Sequence, residues 1–107
     1  MSLLSLRRAN ILRCAEWCPD EKPSLSFRGN ELGGEVGEAQ NVIKKLERER
    51  LGWRGSRDTL EHLAEELADG VICIDLIAMD CDINLWKAIR SKFNATSKKY
   101  GLEARIR

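Results

Sequence analysis

Residues 31–40 read ELGGEVGEAQ, with three glutamates and three glycines in ten positions. Glycine costs a helix about 1 kcal/mol relative to alanine, and glutamates one turn apart repel each other. The stretch is therefore either a loop, or a helix that needs both the charge and the bare backbone. Taken as a helix running to residue 50, it advances about 100° per residue. Glu31, Glu35 and Glu38 then fall on one narrow face, which Val42, Lys45 and Glu49 continue.

The flanking sequence supports the helical choice. Prolines occur only at 19 and 23, inside CPDEKPS, a polar break after a first helix of residues 3–17. A second break, GWRGSRD (52–58), carries two glycines, and Asp58 with Glu61 has capping-box spacing. A third, MDCDIN (79–84), offers Asp82 as the cap of a last helix that Gly101 ends. Between the breaks, Leu60, Leu63, Leu67, Ile74 and Ile77 recur in threes and fours, and no segment alternates as a strand does. The spacing predicts four helices, over 3–17, 27–50, 58–80 and 83–99, packed as an all-α four-helix bundle. Residues 67–79 are apolar around most of the helix, so this should be the most buried segment, at a subunit contact if the chain associates.

A chain of 107 residues has room for one domain. Its formal net charge of +1 argues against a nucleic-acid polymer or a membrane surface as partner. Arg7 and Arg8 interrupt the apolar start, so neither a signal peptide nor a spanning segment is expected, and the expected location is cytoplasmic. Cys14, Cys18, Cys73 and Cys81 match no paired zinc spacing and read as small packed residues.

On the third helix, Glu66 and Asp69 repeat the three-residue step of Glu35 and Glu38. Two such pairs on neighbouring helices can bring four carboxylates together. Four anions cannot share a dry pocket unaided, because each raises the others' pKa. A hard divalent cation relieves the repulsion, and oxygen-only ligands suit magnesium, with manganese as a substitute. A di-iron centre needs histidine three residues after the leading glutamate, where this chain has Glu38 and Asp69. The glycines would let a ligand or another backbone come close. The alternative is a solvated acidic face whose glycines mark a frayed helix start.

GEVGEAQNVIKKL, then LAEELADGVICIDLIA, then KFNATSKKYGL together resemble the MazG-like family of all-α nucleoside triphosphate pyrophosphohydrolases, in particular its short, dCTPase-like members. The resemblance spans about residues 27–102. It implies magnesium held by Glu35, Glu38, Glu66 and Asp69, and cleavage of a nucleoside triphosphate to monophosphate and pyrophosphate for nucleotide pool control or house-cleaning. It also implies a homodimer or a dimer of dimers, with the active site near the subunit contact. Gly34 stands where some relatives carry a further glutamate. Within this picture Glu38 is the candidate general base, and Lys45 a phosphate contact or a partner of Glu49. Lys92 and Asn94, in the third block, would approach the nucleotide. Trp17 and Phe27 flank the loop before the acidic helix and, with Tyr100, are candidates to stack on the base. His62 lies on the same face as Glu66, and Asp75 reads as a structural partner for an arginine across an interface. Two other readings remain at this point: a non-catalytic helical adaptor with an acidic metal-binding face, and a phosphoribosyl-ATP pyrophosphohydrolase.

Overall fold

The computed structural model describes residues 2–107 as four helices: α1 (Leu3–Trp17), α2 (Leu25–Arg50), α3 (Leu60–Asp80) and α4 (Leu85–Lys99). There is no strand among the described residues, and no helix is long and apolar enough to cross a membrane. The glycine-rich stretch lies inside α2, so the helical choice holds. A side chain added at Gly33, Gly34 or Gly37 would meet nothing within 4 Å, so none of the described residues uses the room they leave.

Each helix begins on a polar cap: Ser2, Ser24, Thr59 and Asn84 accept the N–H of the third residue beyond. Two caps differ from expectation. Thr59, not Asp58, starts α3, because Asp58 turns its carboxylate to the Thr59 N–H and the His62 ring instead. Asn84 starts α4, because Asp82 is consumed in closing α3. It takes the left-handed conformation (φ 54°), and the Ile83 N–H returns to the Ala78 carbonyl at 2.8 Å. Gly52 and Gly101 close α2 and α4 in the same way, with φ of 70° and 67°.

α2 and α3 run antiparallel along most of their length, and α1 lies against α3. The sealed apolar core is small: Leu6, Cys14, Ala39, Val42, Cys73, Leu76 and Ala78. Buried polar groups tie the helices together. Asp75 accepts from the Arg7 Nε at 3.1 Å and from the Asn10 Nδ2 at 2.9 Å, and Arg28 donates to Asp80 at 2.8 Å. The arginine expected to face Asp75 thus comes from α1 of the same chain. Removing Asp75 strands the buried Asn10 amide and loosens the half-buried Arg7, at about 1–3 kcal/mol. Asp75→Ala should therefore lower the urea midpoint; an unchanged midpoint would refute the pairing.

The four helices do not close into a compact bundle in one chain. The radius of gyration is 17.2 Å, against about 13 Å for a compact domain of this length. α4 rests mainly on α1. α3 holds more buried residues than any other helix, as expected, yet one side of it is bare. Leu60, Leu67, Val71 and Ile74 are 71%, 53%, 45% and 41% exposed.

Candidate functional site

The seam between α2 and α3 is polar along its length, and its charges are not evenly matched. At one end Arg28 pairs with Asp80, and at the other Lys45 Nζ lies 3.8 Å from the Asp58 carboxylate. Between them Glu35 and Glu38 from α2 meet Glu66 from α3, with one oxygen of each within 4.8 Å of the others. Glu66 is only 9% exposed. The Oε2 atoms of both Glu35 and Glu66 are buried and have no hydrogen-bond partner. Among the described residues, no lysine or arginine pairs with any of the three.

The electrostatics follow from that crowding. Burial, then the charges of Glu38, Asp69, Glu66 and Glu31, raise the Glu35 carboxyl above its ordinary range. Glu66 is raised too, first by the Glu38 carboxyl beside it, with which it can share a proton, then by burial, with His62 pulling the other way. One turn along the seam, burial and Glu31 push the Cys73 thiol up to about 11. Its Sγ donates to Glu31 Oε1 at 3.6 Å, so at neutral pH it is a packed thiol and no nucleophile.

Of the four expected metal ligands, three converge. Asp69 stands outside the group, exposed, near enough to act on Glu35 by charge but not to share a point with it. A three-residue step rotates it about 60° from Glu66, and its side chain is one methylene shorter than a glutamate's.

The other candidates are more scattered. Lys45 turns to Asp58 rather than to Glu49. Phe27 is exposed in the first turn of α2, and Trp17 is exposed at the end of α1 with Arg13 5.0 Å from its ring centre. Tyr100 is exposed just past α4, and Lys92 is exposed on it. Asn94 is occupied: its Nδ2 donates to the Ile106 carbonyl at 2.8 Å and its Oδ1 accepts the Ile106 N–H at 2.7 Å, tying the C-terminal tail to α4. Within one chain α4 rests on α1 rather than along the acidic seam, so these three residues are not gathered to the carboxylates.

His62 has a larger part than its sequence position suggested. Its Nδ1 lies 2.7 Å from Asp58 Oδ1 and its Nε2 3.0 Å from Glu66 Oε1. The hydrogen bond with Asp58 is the main reason its pKa is raised, while the Thr59 N–H is the main reason that of Asp58 is lowered. The signal was present in the spacing, since 58, 62 and 66 are four apart on one helical face. Arg28 and Asn10, both buried, gave no such signal. Comparison with family models, with curated proteins and with solved structures finds no match for the chain.

Proposed function

We propose that this chain is a magnesium-dependent nucleotide pyrophosphohydrolase that cleaves a nucleoside or deoxynucleoside triphosphate to the monophosphate and pyrophosphate. The observation that carries the reading is the meeting of Glu35, Glu38 and Glu66, with two buried carboxylate oxygens left unpartnered. An acidic surface face would turn such oxygens to water; here they are closed off from it, and a bound cation would satisfy them. The donor set is oxygen only, which suits magnesium or manganese. Asp69, at the rim, is the fourth donor if its side chain swings inward.

A divalent cation held there supplies the positive charge that phosphoryl transfer needs on the phosphate oxygens, and activates water. The chain's own residues do the rest. Glu66, buried, and Glu35, half-buried, would hold the cation. Glu38 is the exposed member of the three and so the one that reaches solvent, which suits it to accept a proton from the attacking water. In line with the motif resemblance, attack falls on the α-phosphorus and pyrophosphate leaves. The bare backbone at Gly33, Gly34 and Gly37 lies beside these carboxylates and gives a triphosphate, or a second copy of the chain, room to approach.

The reading includes association with itself as a dimer or a dimer of dimers. The open arrangement and the uncovered stripe on α3 support it.

The test is pyrophosphate release from a panel of canonical and modified nucleoside and deoxynucleoside triphosphates, with magnesium and with a chelator. Magnesium-dependent release is expected, and the best substrate names the base. Silence across the panel from protein that binds magnesium would shift the assignment to phosphoribosyl-ATP or to a non-catalytic adaptor; phosphoribosyl-ATP as added substrate separates those two.

A further inference from the structure

We propose that His62 is a positioning residue of the carboxylate centre, holding one oxygen of Glu66 so that the other faces Glu35 and Glu38. This rests on the cation-binding reading above. Glu66 has three rotatable side-chain bonds and an anionic neighbour in Glu38, so left alone it would swing outward, away from the like charge. What opposes that is the imidazole, whose Nε2 lies 3.0 Å from Glu66 Oε1. The remaining oxygen, Oε2, is buried with no hydrogen-bond partner, on the residue that meets Glu35 and Glu38. His62 is not itself among the groups within ligating range, since neither ring nitrogen comes within 4.8 Å of all three carboxylates.

The imidazole is in turn anchored from behind. Asp58 Oδ1 engages its Nδ1 at 2.7 Å and also accepts the Thr59 N–H at 2.8 Å, while Lys45 reaches the other Asp58 oxygen. The result is a relay of contacts from α2, through the first residues before α3, to the buried carboxylate. Residues that orient a metal's carboxylate ligands commonly change metal affinity by roughly 10- to 100-fold when removed. An ordinary surface pairing of a histidine with acids four residues away would have no such effect on a buried neighbour's ion.

The test is manganese titration of the full chain, read by the electron paramagnetic resonance signal of the free ion. The variants are His62→Ala, His62→Gln and Asp58→Ala, each checked for cooperative melting in chelator. His62→Ala is expected to weaken manganese binding by roughly 10- to 100-fold. His62→Gln should recover most of the loss, because its amide N–H can donate to Glu66 from nearly the same place. Asp58→Ala should weaken binding in the same direction by less. Unchanged affinity in His62→Ala, or no rescue by glutamine, overturns the inference while leaving the cation centre standing. If His62→Ala does not fold, Asp58→Ala decides: native affinity there overturns it. Failure of the native protein to bind manganese at all removes the centre itself, and the role of His62 with it.

Discussion

Glu38→Gln should lower magnesium-dependent pyrophosphate release by roughly 10²- to 10⁴-fold, the usual worth of a general base, with the fold intact. The substitution keeps the side chain's size and removes only its charge and basicity. Glu38 is exposed, and the glutamine amide can still donate to the Glu66 carboxylate beside it, so little packing loss accompanies the change. Single-turnover assays at saturating magnesium would separate this loss from weaker ion binding. Retained turnover would remove Glu38 from the chemistry and leave Glu35 or Glu66 to account for it.

The same substitution should have the opposite effect on stability when no divalent cation is present. Glu35 and Glu66 both have pKa values raised above their ordinary range in the folded chain. A carboxyl that holds its proton more tightly when folded favours folding at low pH, and that advantage fades as pH rises from the ordinary carboxylate range through the raised one. The crowded centre therefore works against folding near neutral pH, and removing one of its charges relieves it. In chelator, Glu38→Gln should melt higher than the native protein near neutral pH, by a few degrees. The difference should vanish in acid, and magnesium should stabilise the native protein more than the variant. A melting curve for the native protein indifferent to both pH and magnesium would argue that the three glutamates do not repel one another as their placement requires.

These consequences depend on features that differ in how plainly the sequence displays them. Periodicity puts Glu35 with Glu38, and Glu66 with Asp69, on one face of each helix, but it leaves open whether those faces meet or stay in water; the packing of α2 on α3 brings Glu35, Glu38 and Glu66 together. Asp69 did not follow, since a matching step does not compensate for a shorter side chain. The caps fall one or two residues from where spacing puts them: Asp58 and Thr59, or Asp82 and Asn84, can each cap a helix, and the local hydrogen bonds each makes decide between them. His62 claims Asp58, and the turn after α3 claims Asp82, as aspartate tolerates the left-handed region. What periodicity cannot convey is which apolar face meets which. It marks α4 as amphipathic without saying that its apolar face stays open, or that Asn94 holds the chain's own tail.

That open face leads to the second large effect. Leu60, Leu67, Val71 and Ile74 follow one another at spacings of seven, four and three, so they form a single stripe along α3. On α4, Trp86, Ile89 and Phe93 form another, all exposed. Between them lies a groove of about 710 Å³ whose walls include Leu4, Arg7, Val71, Ile83 and Trp86. A monomer rarely leaves this much continuous apolar surface in water. Covering a leucine or isoleucine contributes about 1.5–3 kcal/mol, and a two-fold interface covers each residue twice. Leu67→Asp with Ile74→Asp therefore removes four such contributions and buries four charges in their place. The dissociation constant should rise by at least about a thousandfold, some 4 kcal/mol, and light scattering should show the native protein associated and the variant monomeric. The acidic seam lies on the opposite side of α3, facing α2, so manganese binding by the variant should persist if the centre is complete within one chain. If binding disappears along with association, the partner supplies part of the site. A native protein that is monomeric at micromolar concentration would leave both stripes without an occupant and remove self-association from the proposal.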